Sequence, residues 1–141
     1  MTLKIGELAR QTHCTVETIR YYEQAGLLPA PLRSSGNYRL YNDNHIERLH
    51  FIRHCRMLDI SLEEIQTLLA YKDTPEQDCA HVNALLDTHI DRLETQIATL
   101  LSLKQRLQDL RGQCSGSHPV ENCGIIQGLE HCSCETAVSP A

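Results

Sequence analysis

The chain of 141 residues suits one compact domain, or a small domain with an oligomerisation element, and is too short for a large enzyme scaffold such as a (β/α)8 barrel. Hydrophobic residues make up 41%, but the aromatics are five Tyr and one Phe with no Trp, so the core must be aliphatic, which favours helices packed through Leu and Ile. The formal charge of −5 weighs against a nucleic-acid partner, yet residues 1–60 carry eight Lys and Arg against six Asp and Glu (net +2) while residues 61–141 carry five against twelve (net −7), so only the first half suits DNA.

Ile5, Leu8 and Ala9 recur at i, i+3 and i+4 and predict a short amphipathic helix. A break follows over Thr12 to Thr15. Thr15 suits an N-cap, Glu17 complements the helix N-terminus, and Val16, Ile19, Tyr22 and Glu23 carry a second helix as far as Gly26, a C-terminal stop. Two helices joined by a tight turn inside 26 residues make a helix-turn-helix candidate. The stretch from Pro29 to Gly36 is rich in Pro, Ser and Gly, and the alternating Asn37-Tyr-Arg-Leu-Tyr41 after it predicts a small hairpin wing. A further helix is expected from about Asn42, with Ile46, Leu49, Phe51, Ile52 and Cys55 on its buried side. A shorter one begins at Ser61, where Glu64 completes a Ser-x-x-Glu capping box.

From Cys79 to Arg111 there is neither Gly nor Pro, and a four-three spacing runs through Cys79, Asn83, Leu86, Ile90, Leu93, Ile97, Leu100, Lys104 and Leu107. That pattern predicts a coiled-coil seam on a helix roughly 50 Å long at 1.5 Å per residue. So long a helix outreaches a small domain, and its seam needs a second chain, so a dimer is expected. Periodicity stops at Gly112, and a loop over Gln113 to Gly124 carries Cys114, His118 and Cys123. Ile125 to Leu129 is expected to fold back on the long helix. The expected organisation is a winged helix-turn-helix domain over 1–72, a linker over 73–78, a dimerisation helix over 79–111, a metal-binding loop and short helix over 112–130, and a flexible tail over 131–141 that holds Cys132 and Cys134.

Two constellations carry chemistry. Thr15, Thr18, Arg20 and Tyr21 on the second helix, with Arg33, Asn37, Tyr38 and Arg39 on the wing, match the side chains that anchor phosphates and read base edges. An ordinary solvated helix with a surface hairpin is the bland alternative. The second constellation is the thiols. Seven Cys in a reducing compartment are better read as metal ligands than as disulfides. Cys79 and Cys114 are 35 residues apart, so a continuous helix keeps them from sharing an ion within one chain. Helices crossing antiparallel near Ile97 would bring Cys79 of one chain beside Cys114 and Cys123 of the other, giving two equivalent sites. The Leu and Ile pattern fits a parallel pair equally well, and the cysteine spacing favours the antiparallel one. Three thiolates suit lead, cadmium, mercury or zinc, and His118 could supply the fourth ligand that zinc usually takes. Against this stands a redox pair or exposed thiols without a ligand.

Weaker candidates divide by setting. Cys14 and Cys55 read as core residues, and His45, His50 and His54 as a solvated face. Cys132 and Cys134 read as auxiliary metal donors. There is no Gly-rich phosphate loop, nucleophile elbow or metal-hydrolase His pair, so no enzyme activity is expected. The N-terminus lacks secretory-signal features and no run approaches 18 apolar residues, so a cytoplasmic protein with no membrane partner is expected.

Ile5-Gly-Glu-Leu-Ala, Val16-Glu-Thr-Ile-Arg-Tyr-Tyr-Glu, Gly26-Leu-Leu-Pro and Asn37-Tyr-Arg-Leu-Tyr together resemble the N-terminal half of the MerR family of transcription regulators. Cys79, the long helix, Cys114-Ser-Gly, Cys123-Gly-Ile-Ile-Gln-Gly-Leu and Cys132-Ser-Cys134 are similar to its metal-sensing branch, first to the lead-responsive members and next to the cadmium-responsive ones. The resemblance implies a homodimer on double-stranded promoter DNA, where RNA polymerase meets promoter elements spaced too far apart. Metal binding would change the bend and twist of that DNA and convert repressor to activator. It also implies that Arg20, Tyr21, Asn37, Tyr38 and Arg39 contact DNA while Cys79, Cys114 and Cys123 hold the ion. Copper-sensing relatives have Ser where this chain has Cys79, and zinc-sensing ones pair two Cys where Cys114 is followed by Ser115. Pb(II) is therefore the expected ligand, with Cd(II), Zn(II) or Hg(II) as alternatives. A thiol metal buffer or redox module is the competing reading from another class.

Overall fold

The structure, a computed structural model, describes residues 2–131. Cys132 and Cys134, the expected auxiliary donors, lie outside the described residues. The chain divides into two units, one ending at His89 and one starting at Ile90.

In the first unit, helix α1 (Ile5–Thr12) starts where Glu7 Oε2 accepts from the Lys4 amide at 2.9 Å. It stops at His13, which takes a left-handed φ of 55°. Helix α2 (Val16–Gln24) is capped by Thr15, whose Oγ1 accepts from the Thr18 amide at 3.1 Å and satisfies a donor that the helix leaves open. Gly26 at φ +79° turns the chain out of this helix, a conformation that costs a glycine little. The wing follows as β1 (Leu32–Arg33) and β2 (Arg39–Leu40), an antiparallel pair in register Leu32 to Leu40 and Arg33 to Arg39. Tyr41 extends the wing by an antiparallel bridge to Leu3, a pairing that sequence alone does not reveal.

Helix α3 (Asp43–Met57) is capped by Asn42, and helix α4 (Leu62–Lys72) by the reciprocal Ser61–Glu64 box at 3.2 Å in both directions. The aliphatic core expected from composition forms where these elements meet. Leu8, Ile19, Leu27, Leu49, Ile52 and Ile65 are fully buried, and Tyr41 is the one aromatic among the fully buried side chains of the described residues. Burial of each such side chain stabilises the unit by about 2 kcal/mol.

His45 departs from the solvated face expected for it, being only 2% exposed. Its Nδ1 accepts from the Asn42 amide at 3.1 Å and its Nε2 lies 3.2 Å from the Pro29 carbonyl. Both ring nitrogens are thus partnered, and Tyr41 packs edge-on at 5.1 Å, so burial leaves no polar atom unsatisfied. Cys55 is buried as expected, and burial pushes its thiol up from the ordinary value.

Helix α5 (Ala80–Arg111) is 32 residues long, as its uninterrupted pattern predicts. Its apolar seam is open in the single chain: Leu86, Ile90, Ile97, Leu100 and Leu107 are all exposed, the last by 65%. In the second unit a 3-10 turn (Val120–Asn122) leads to α6 (Gly124–Glu130). Gly128 faces Leu110 so closely that a β-carbon there would meet its Cδ1 at 2.9 Å, so α6 folds back on the end of α5. Among the described residues no helix is long and apolar enough to cross a membrane.

Candidate nucleic-acid interface and metal-ligand residues

The first constellation is assembled by the helix-turn-helix and its wing. Arg20 and Tyr21 project from α2 into solvent, and Tyr21 is 54% exposed. Thr18 is half-buried and shares a 2.8 Å hydrogen bond between its hydroxyl and that of Thr15, so this pair shapes the start of the helix. On the wing, Ser34 holds the turn. Its carbonyl accepts from the Asn37 amide at 2.9 Å and its hydroxyl accepts from the Tyr38 amide at 3.1 Å. Asn37 sits at φ 64°, a left-handed conformation that Asn tolerates better than most residues. Its carbonyl accepts from Arg33 Nη1 at 3.2 Å.

Tyr38, 71% exposed, stands at the wing tip over Gly36, where a β-carbon would meet the Tyr38 ring at 3.0 Å. Sequence reasoning missed Gly36 and Ser34 as supports of Tyr38, although a Ser-Ser-Gly-Asn turn is their signal. It also missed Glu23, which ties the wing to α2: Arg39 Nη1 lies 3.8 Å from its Oε2 and the Tyr41 hydroxyl donates to its Oε1 at 2.6 Å. Arg20, Glu23, Gln24 and Arg39 line an open cleft of about 350 Å³ between helix and wing. Two guanidinium groups, exposed amphipathic Tyr rings and a helix N-terminus make a surface that can hold phosphate oxygens and reach base edges.

The thiols fall into two groups. Cys79 is exposed just before α5, where its carbonyl accepts from the Asn83 amide at 3.0 Å. Cys114 and Cys123 follow the helix and lie together in the second unit, the Cys114 side chain near enough to help lower the Cys123 thiol. Arg111 Nη1 donates to the Cys114 carbonyl at 2.7 Å and fixes the loop to the helix end. Cys114 Sγ also lies 3.4 Å from His118 Nε2. Cys123 occupies the N-cap position of α6 without a regular capping hydrogen bond. The amides of Ile126 and Ile125 nevertheless draw its thiol below the ordinary cysteine value, with a smaller contribution from Cys114. A thiol lowered in this way is more fully ionised, and the thiolate is the form a soft metal binds. Among the described residues of one chain, no three His, Cys, Asp or Glu side chains gather as a metal site.

Two family profiles cover this architecture. The profile of the MerR HTH family regulatory protein matches residues 3–72, and that described as MerR, DNA binding matches residues 46–110. The chain belongs to the MerR family. That family is one of transcription regulators. The crystal structure of the transcription regulator PbrR691 from Ralstonia metallidurans CH34 in complex with lead(II) is similar at 46% identity and a TM-score of 0.84, over 90% of this chain and 98% of that one. The dual-function regulator MerR from Bacillus megaterium MB1, solved with mercury(II), is similar at 30% identity and a TM-score of 0.69, over 91% and 99% of the two chains. The ZntR homolog of Haemophilus influenzae is 51% identical over 109 residues, 77% of this chain and 81% of that protein. Within the MerR family, the likeness thus runs through metal-responsive members.

Proposed function

We propose that this chain is a Pb(II)-responsive transcription regulator that acts as a cytoplasmic homodimer on double-stranded promoter DNA. Cys79 of one protomer and Cys114 with Cys123 of its partner hold the ion. The observation that carries this reading is the division of the thiols: Cys114 and Cys123 are adjacent, while Cys79 stands before α5 and they stand after it. The open Leu and Ile seam of α5 supports a second helix packed over it, and the spacing of the thiols favours the antiparallel direction. The likeness to a lead(II)-bound regulator supports the metal. Three sulfurs grouped on one side also suit Pb(II), whose lone pair can take the other.

The segments serve this division of labour: residues 1–72 bind DNA, 73–78 link, 79–111 pair the chains and 112–130 hold metal, while the segment 131–141 lies, from residue 132 on, outside the described residues. Thr15 and Thr18 order the N-terminus of the reading helix, Arg20 and Tyr21 present it to DNA, and Arg33, Asn37, Tyr38 and Arg39 grip the backbone beside it. The dimer stays on the operator in both states. Metal favours the dimer state that changes the bend and twist of the promoter, and the deformed DNA then presents both promoter elements to RNA polymerase. The switch follows from the differential affinity of the ion for the two states.

A second reading within the same mechanism rests on His118, whose Nε2 lies 3.4 Å from Cys114 Sγ. As a fourth donor it would suit a tetrahedral Cd(II) or Zn(II) ion, while Hg(II) shares the three-thiol set. Titration of the reduced dimer with Pb(II), Cd(II), Zn(II) and Hg(II), read by thiolate-to-metal absorption and by transcription from the operator promoter, separates these readings. Tight Pb(II) binding that switches transcription, and is lost in Cys79→Ser, is expected. Equal switching by the other ions would remove lead as the particular ligand, and a thiol buffer would bind metal with no operator affinity.

A further inference from the structure

Cys79 lies close to a chain of contacts that ends at the DNA-reading helix, all within the first unit. Two residues after Cys79, His81 stacks on Tyr71 near the end of α4, with ring centroids 6.0 Å apart and planes 16° from parallel. Next to that stack, Asp73 ends α4 and accepts from Arg48 Nη1 of α3 at 2.8 Å. Arg48 is itself largely covered, and its Nε donates to the Leu27 carbonyl at 3.4 Å, just past the end of α2. A second strut runs in parallel, because Gln66 Nε2 of α4 donates to the Ala25 carbonyl at 2.8 Å. The C-terminal end of the reading helix is therefore held from α4, and α4 is held from the first turn of α5.

The geometry points to Tyr71, Asp73 and Arg48 as positioning residues that carry the metal state of Cys79 to α2. The inference rests on the metal-responsive reading above. A ligand can shift a two-state equilibrium only through interactions that differ between the states. Pulling Cys79 into a site with the partner's thiols moves the first turn of α5, and the Tyr71–His81 stack makes α4 follow it. Asp73 then draws Arg48, and with it the Leu27 carbonyl that sets where α2 stops. Such a contiguous network has physical content only if breaking it uncouples the two ends while leaving each end intact.

Asp73→Asn and Tyr71→Leu provide that test, with Tyr71→Phe as the variant that keeps the ring. Asp73 is more than half exposed, so its neutral isostere leaves the core untouched. For each protein, Pb(II) affinity, operator affinity and the ratio of transcription with and without Pb(II) are measured. Asp73→Asn and Tyr71→Leu are expected to keep both affinities within about threefold while the transcription ratio falls at least fivefold, within the usual range of allosteric coupling. Tyr71→Phe is expected to keep the ratio. Unchanged ratios in both uncoupling variants, or a fall that merely follows lost Pb(II) affinity, would overturn the lever. A wild-type dimer that binds Pb(II) without switching would instead remove the regulatory reading, and the lever with it.

Discussion

The Tyr41 hydroxyl donates a 2.6 Å hydrogen bond to Oε1 of Glu23, joining the residue that ends the wing to the helix that the wing accompanies. The same carboxylate lies 3.8 Å from Arg39. One acidic side chain on α2 thus fixes the angle at which two wing residues stand beside Arg20.

This bond sets an alkaline limit. Burial, and then the hydrogen bond and charge of Glu23, push the Tyr41 phenol up to about 12. In the unfolded chain it titrates near 10. The folded state holds the proton more tightly, so the contribution of Tyr41 is complete below pH ~10 and is lost as pH rises towards ~12, by about 3 kcal/mol in all. Urea unfolding of wild type and Tyr41→Phe across this window should show the wild type losing more stability. Parallel loss in both proteins would contradict the assignment.

Arg20→Ala should weaken operator binding about tenfold or more while leaving the unfolding midpoint unchanged, because its side chain is in solvent. Fluorescence anisotropy at several salt concentrations distinguishes its role. A contact to phosphate lowers the salt slope by about one, whereas a base contact relaxes sequence preference. Unaltered affinity would exclude Arg20 from the interface.

The thiols should separate by reactivity. Cys123 is drawn below the ordinary cysteine value by the amides of α6, and Cys55 is pushed above it by burial. More thiolate at neutral pH makes Cys123 the faster nucleophile. Alkylation followed by peptide mass mapping of the metal-free protein should label Cys123 well before Cys55. Metal should then protect Cys123.

Gly124 lies against the backbone of Gln113, where a β-carbon would overlap the carbonyl oxygen. Gly124→Ala therefore forces α6 off the end of α5, and with it the neighbouring Cys123. Metal affinity is expected to fall severalfold with little change in operator binding. Calorimetric titration with Pb(II) checks this, and wild-type affinity in the variant would contradict it.

Much of the fold is legible because local signals and burial agree. Thr15, Ser61 with Glu64, and Gly26 mark helix ends through their own hydrogen bonds or backbone freedom, and α5 is written in an unbroken pattern. What escapes is long-range. The Leu3–Tyr41 bridge joins residues 38 apart. His45 shows as a polar residue in the sequence and becomes core only because Pro29 and Asn42 meet its nitrogens. Likewise His89, whose position in α5 carries no signal of burial, is 8% exposed, with Nε2 3.1 Å from the Leu58 carbonyl. The thiols are legible by spacing, but the contact of Cys114 with His118 and the amide setting of Cys123 depend on how the loop closes.

The cross-chain metal site is the claim on which the regulatory account stands, and a mixed dimer tests it. Chains carrying Cys79→Ser and chains carrying Cys114→Ser are each expected to form dimers that bind no Pb(II) tightly. Combined in one dimer, the first supplies Cys114 and Cys123 and the second supplies Cys79. Thiolate-to-lead absorption should therefore return at one ion per mixed dimer. A mixed dimer that binds no more Pb(II) than either parent would contradict the account.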